Sequence, residues 1–88
     1  MIKYIITARK WFDKINGNTY FSLKITDINN VVLLNDPFQY GYGEHYKDVA
    51  KDFLIKNKLL DVKDRYNHDL LRDILFFECS EVARKRDL

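Results

Sequence analysis

The chain contains one cysteine, one proline and three glycines in 88 residues, and no apolar stretch long enough to span a bilayer. Each scarcity excludes something. A lone Cys79 cannot close an intrachain disulfide, so nothing calls for an oxidising compartment and a reducing, cytoplasmic setting is expected. So little glycine and proline leaves no room for linkers or low-complexity segments, and no internal repeat is visible, so residues 1–88 read as a single domain. The opening MIKYIITARKWF is interrupted by Arg9 and Lys10 and is expected to be neither a signal peptide nor a membrane anchor. Excess charge of one sign is also missing. A net charge of +2, from 15 basic and 13 acidic residues, is far from that of a protein that wraps nucleic acid, so any electrostatic role rests on local clusters. One such cluster, Arg84–Lys85–Arg86, reads as a solvated end with a phosphate contact as the alternative.

What is plentiful is apolar and aromatic: 47% hydrophobic residues and 15% aromatic ones describe a globular core rather than a disordered chain. A domain this small buries only roughly 60 to 65% of its unfolded surface, so its stability is expected to be modest.

Residues 2–12 are rich in β-branched and aromatic types, and TYFSLKIT at 19–26 alternates polar and apolar with period two, so both read as strands. Asn16-Gly17 between them is the strongest short hairpin signal, because both central positions of a type I′ turn need positive φ. Taken as a two-residue loop, it places Ile15 opposite Asn18, Phe12 opposite Phe21, Lys10 opposite Leu23, Ala8 opposite Ile25, Trp11 opposite Ser22 and Arg9 opposite Lys24. One face then gathers Ile6, Ala8, Phe12, Phe21, Leu23 and Ile25, with Lys10 the misfit. The other carries Thr7, Arg9, Trp11, Asp13, Tyr20, Ser22, Lys24 and Thr26.

A turn at DINN leads to a third strand, VVLLND, with Val32 and Leu34 on the core face and Pro37 as its end. Helical spacing begins at Glu44 and runs to about Lys58, with Tyr46, Val49, Ala50, Phe53 and Leu54 on one stripe. LLDVKDRYNHDLLRDI reads as a loop or short helix around 67–72 with Leu70 and Leu71 inward. ILFFECSEVA reads as a final strand inside the sheet beside the first. The expected fold is α+β: a four-stranded, mostly antiparallel sheet, three N-terminal strands in a meander plus a C-terminal strand, covered on one face by one main helix.

PFQYGYGEHY at 37–46 poses a separate question. Gly41 and Gly43 free the backbone between strand and helix, and the rings of Tyr40, Tyr42 and Tyr46 serve either to plug one end of the core or to meet a partner. The stretch lacks the Gly-Lys-Ser/Thr ending of a phosphate-binding loop, and Glu44 already complements the helix dipole. Together with RKWFDKINGNTY at 9–20, it resembles a group of small, poorly characterised proteins carried by bacteriophages and prophages. The two segments are 12 and 10 residues long in a chain of 88, and neither is a catalytic signature. The resemblance implies a phage accessory role, of the kind that acts by binding a host protein.

The polar residues do not suggest an enzyme. Glu44, His45, His68, Glu78 and Cys79 match no metal-ligand or triad spacing, and Cys79, alternating with Phe77 on a strand, reads as a small buried hydrophobe. Neither a cofactor nor a metal is expected. The outer hairpin face is more telling: it sets Arg9 opposite Lys24, a mildly unfavourable pairing, with Trp11 and Tyr20 diagonally adjacent on the same face, and solvated Trp, Tyr and Arg are the types enriched in binding hot spots. With Tyr40 and Tyr42 they form the candidate binding set. A protein partner is the first expectation, and single-stranded nucleic acid, which stacks on rings and pairs with cations, the second. Trp11 lying on the aliphatic stems of Arg9 and Lys24 to stiffen the hairpin is the structural alternative.

Overall fold

A computed structural model describes residues 1–88. Three strands, β1 (Tyr4–Asp13), β2 (Asn18–Asp27) and β3 (Val32–Tyr40), form a meander. Helix α1 (His45–Lys56) and the short helix α2 (His68–Ile74) follow, and α2 passes without a loop into β4 (Leu75–Val82). The sheet order is β3-β2-β1-β4, with β1 antiparallel to β2, β2 antiparallel to β3, and β4 parallel to β1. The fold is the expected α+β arrangement. The last strand does lie beside the first, but at the sheet edge rather than inside it.

The hairpin is built by Asp13. Its carboxylate accepts hydrogen bonds from the backbone N–H of Ile15 (3.0 Å) and Asn16 (3.3 Å) and from the Asn16 side chain (2.8 Å). The Gly17 N–H donates to the Asp13 carbonyl at 2.7 Å, with Gly17 at φ +70°. An Asx-type turn of this kind makes the loop four residues long, 14–17, not the two residues that Asn16-Gly17 alone indicates. The register consequently differs from expectation by two positions. Trp11 lies directly opposite Tyr20, Arg9 opposite Ser22, Ala8 opposite Leu23, Phe12 opposite Thr19 and Lys10 opposite Phe21. Arg9 and Lys24 are therefore not opposed. Because side chains alternate with period two, a shift of two residues leaves both faces as assigned.

The core face brings Ile6, Ala8, Phe21, Leu23 and Ile25 under Tyr46, Ala50 and Leu54 of α1, with Leu71, Ile74 and Leu75 closing one side. The α1 stripe matches its helical spacing. Leu71 is buried as expected, and Asn67 caps α2 by accepting from the Leu70 N–H. Two residues assigned to the core are not in it. Phe12, on the right face, is 53% exposed, as the hairpin tip carries no buried neighbour on that face. Val32 is 49% exposed because β3 bulges at Leu33: Leu34 pairs with Ile25 while Val32 pairs with Thr26, which turns Val32 to the outer face. Lys10 is accommodated by laying its ammonium 5.4 Å from the Tyr46 ring centroid.

Nor does Pro37 end the third strand. Leu23 pairs with Asp36 and Phe21 with Gln39, so Pro37 and Phe38 together oppose Ser22 in a second bulge. An edge strand and a bulge are the two places where a sheet tolerates proline, and β3 offers both. The Asp36 carboxylate accepts from the Phe38 N–H at 3.3 Å across the bulge, and the strand continues to Tyr40. Cys79 is exposed rather than buried: it pairs with Ala8 on the outermost strand, at the margin of α1, where Tyr46 and Lys47 are the helix side chains that approach it.

Candidate functional site

The continuation of β3 past Pro37 completes a feature that the hairpin only begins. On the sheet face that carries no helix, Trp11 of β1 stacks on Tyr20 of β2, with ring centroids 5.8 Å apart and planes 25° apart. Tyr20 stacks in turn on Phe38 of β3 at 4.7 Å and 19°. Tyr40, opposite Tyr20 in the ladder, meets it edge-on at 5.6 Å. Phe38 and Tyr40 are 42% and 56% exposed. The result is an aromatic row across three strands, each stacked pair adding about 0.5 to 1.5 kcal/mol beyond its burial. Trp11 lies on Tyr20, and Lys24, opposite Thr7, is too far along the ladder to lie beneath it.

The orientation of the rings decides what the row can hold. Face-to-face stacking along the sheet uses both faces of Tyr20. The remaining face of Phe38 is met by the Lys85 ammonium, 4.7 Å from its centroid. Tyr20 and Phe38 thus have their faces in use and offer edges, whereas Trp11 stacks on one side only and Tyr40 is more than half exposed. A nucleobase needs a free face, whereas a protein surface packs readily against edges.

Around the row lie Arg9, exposed, whose Nη1 donates to the Asp87 carbonyl at 3.2 Å, and Lys24, also exposed, opposite Thr7 and Asn35. Asp13 stands at the end of the row. Hydrogen bonding from the Asn16 side chain lowers its pKa first, and the backbone N–H groups of Asn16 and Ile15 and the Lys85 charge act in the same direction. The basic segment 84–86 is thus not merely solvated, because Lys85 reaches the site.

Tyr42 is brought elsewhere. It is 72% exposed and borders a separate open hollow of about 590 Å³ with Tyr40, Glu44, His45 and Lys51. At that hollow Lys47 donates to Glu44 at 2.9 Å, which pulls the Glu44 carboxyl below and pushes the Lys47 ammonium above their ordinary values. Burial raises the Tyr46 phenol. Gly41 is buried, and a Cβ placed on it would lie 2.7 Å from both Phe21 and the His45 ring, so this glycine serves close packing. Gly43, at φ +62°, serves the turn. The 37–46 stretch is thus architecture at its glycines and at Tyr46, and open surface at Tyr42. His68 and Cys79 join no cluster, and no group of three or more His, Cys, Asp or Glu side chains converges. No helix is long and apolar enough to cross a membrane.

Of the expected site residues, Arg9, Trp11, Tyr20, Lys24 and Tyr40 share one face, and Tyr42 stands apart. Phe38 and Lys85 were not anticipated. The alternation of Phe38, Gln39 and Tyr40 would have revealed Phe38 had Pro37 been read as an edge-strand residue. Lys85 belongs to the basic cluster 84–86, whose local pattern points to a solvated end or a phosphate contact and not to an aromatic ring across the sheet. No family model, curated protein or solved structure matches the chain.

Proposed function

We propose that the chain is a binding protein that receives a protein partner on the helix-free face of its sheet, centred on Trp11, Tyr20 and Phe38 and flanked by Arg9, Lys24 and Tyr40. The observation that carries this reading is the aromatic row itself: large, mutually packed, partly exposed rings on three adjoining strands, flanked by arginine and lysine. Rings held in place by one another lose little conformational freedom on binding, and Trp, Tyr and Arg are the usual anchors of interfaces. The resemblance to phage accessory proteins makes a host protein met in the cytoplasm the partner class we favour. Chemistry on a substrate is not part of the proposal.

A second reading, binding of single-stranded nucleic acid, draws on the cations Arg9, Lys24 and Lys85 near the same row. The occupied ring faces weigh against it. Capture from a bacterial lysate with the wild-type chain and with a Trp11→Ala, Arg9→Ala double variant, with and without nuclease, tests both. The variant is expected to stay folded and to lose at least about 2 kcal/mol of binding, the size of a hot-spot anchor. Capture that the nuclease abolishes, and that falls steeply between about 50 and 200 mM salt, would favour nucleic acid instead. Normal capture by a folded double variant would place the interface elsewhere.

A further inference from the structure

The segment after β4 crosses the proposed interface. From Val82 at one sheet edge the chain turns back into a single 3-10 turn, Lys85–Asp87, that lies over the outer face. Three contacts place it there. Lys85 caps the Phe38 ring, which sits on the strand at the opposite edge of the sheet, and its charge is felt by Asp13. The Asp87 carbonyl accepts from Arg9. Leu88, half-buried, helps line a hollow of about 340 Å³ with Ser22, Lys24, Asn35 and Pro37. Arg9 and Asp13 are the same-face neighbours of Trp11 along β1, so the segment passes beside the ring on which the binding reading centres. Yet it is held lightly. Residues 84–87 are exposed, and none of Arg84, Lys85 and Arg86 forms an ion pair.

We propose that residues Arg84–Leu88 are an internal ligand of this face: a strap that occupies the partner's site and must be displaced for binding. The strap also shows the chemistry of what the face accepts. It offers a cation to Phe38, a main-chain carbonyl to Arg9 and an aliphatic side chain to the hollow beside Pro37. The partner segment that displaces it is an extended stretch of protein carrying the same three groups, a lysine or arginine followed closely by an aliphatic residue. A ligand whose site is free only part of the time binds more weakly by that fraction, so loosening the strap raises partner affinity without altering any partner contact. This inference rests on the binding role proposed above for the face, but its test needs no partner.

The test uses the 88-residue chain and a Lys85→Ala, Leu88→Ala variant of it. The chain has one tryptophan, so fluorescence reports on Trp11 alone. Acrylamide quenching of Trp11 is expected to rise clearly, about twofold, in the strap variant, while the thermal midpoint stays close to wild type. A peptide of residues 83–88 added in trans to the variant should reverse that rise saturably. Half-saturation is expected in the millimolar range, the effective concentration of a segment tethered this closely. The same peptide should do several-fold less to the wild-type chain, and a peptide with Lys85→Ala should do less to either. Quenching that is the same in both chains, or peptide effects that are equal on both, overturns the strap. If the strap behaves as expected but the Trp11→Ala, Arg9→Ala chain captures its partner normally, the strap stands and the binding role of this face falls.

Discussion

Replacing Gly41 by alanine puts a methyl group where a hydrogen stood, in a place with no space for it. The new Cβ lies 2.7 Å from Cε1 of Phe21 and 2.7 Å from Cδ2 of His45, where ordinary contact begins at 3.4 Å. Each ring would have to retreat by the difference, and the two differ in their freedom to do so. His45 is exposed and can rotate outward. Phe21 is 2% exposed, enclosed by the core, and cannot move without disturbing its neighbours. The backbone at residue 41 is not free to withdraw either, because its N–H donates to the Thr19 carbonyl at 3.1 Å. Overpacking of this kind costs typically about 1 to 3 kcal/mol. With a urea dependence near the low end for small domains, about 1 kcal/mol per molar, the unfolding midpoint should fall by roughly 1 to 3 M. Urea titration followed by Trp11 fluorescence measures it. Repeating the substitution in a His45→Ala background separates the two rings: part of the loss should disappear and the part due to Phe21 should remain. A Gly41→Ala chain as stable as wild type would refute the reasoning, and complete rescue by His45→Ala would assign the whole constraint to the surface ring.

Two further outcomes follow from burial and charge. Leu54→Ala, at a fully buried position of α1, should cost about 2 to 5 kcal/mol, whereas Tyr42→Ala, on the open hollow, should change stability by less than about 0.5 kcal/mol. Equal losses in denaturant melts would show that Tyr42 plugs the core after all. Asp13 is held below the ordinary carboxylate range by bonds made only in the folded hairpin. Its contribution is therefore fully present above that range and is lost as the pH falls through the lowered value. The stability difference between wild type and Asp13→Ala should shrink as the pH drops below the ordinary range, and a difference that stays constant with pH would mean the side chain stabilises the turn without its charge.

Much of the fold is legible because face assignments survive errors that residue pairings do not. Reading the loop as two residues moved every cross-strand partner by two, yet Ile6, Ala8, Phe21, Leu23 and Ile25 stayed on one face, since the period of a strand is also two. The same property explains where the reading broke. A bulge inserts a single residue, which reverses the faces beyond it, and β3 has two of them. Simple alternation therefore puts Val32 on the wrong face, and Pro37 reads as an end because the bulge that tolerates it has no signature apart from its edge position. Burial was less legible than facing. Phe12 and Cys79 lie on the core side, but whether a residue there is covered depends on how far α1 extends over the sheet, which is set by packing between segments distant in sequence.

The candidate site shows the same division between local and distant information. Trp11, Tyr20, Arg9 and Lys24 could be grouped from the hairpin alone, because β1 and β2 are neighbours in sequence and their alternation is regular. What makes the group a site came from farther away: Phe38, across a bulge, extends the stack to a third strand, and Lys85, from the segment after β4, covers that strand's ring. These additions also change the chemistry. A pair of rings with free faces would suit stacked bases, but here the faces of Tyr20 and Phe38 are used by neighbouring rings and by an ammonium group, which leaves those two rings to offer edges beside flanking cations. The preference for a protein partner, first suggested by the small net charge, thus gains a second argument from residues that no local pattern in the hairpin could supply. A Phe38→Ala chain, which reopens one face of Tyr20, would shift the site's chemistry toward stacking ligands by the same reasoning.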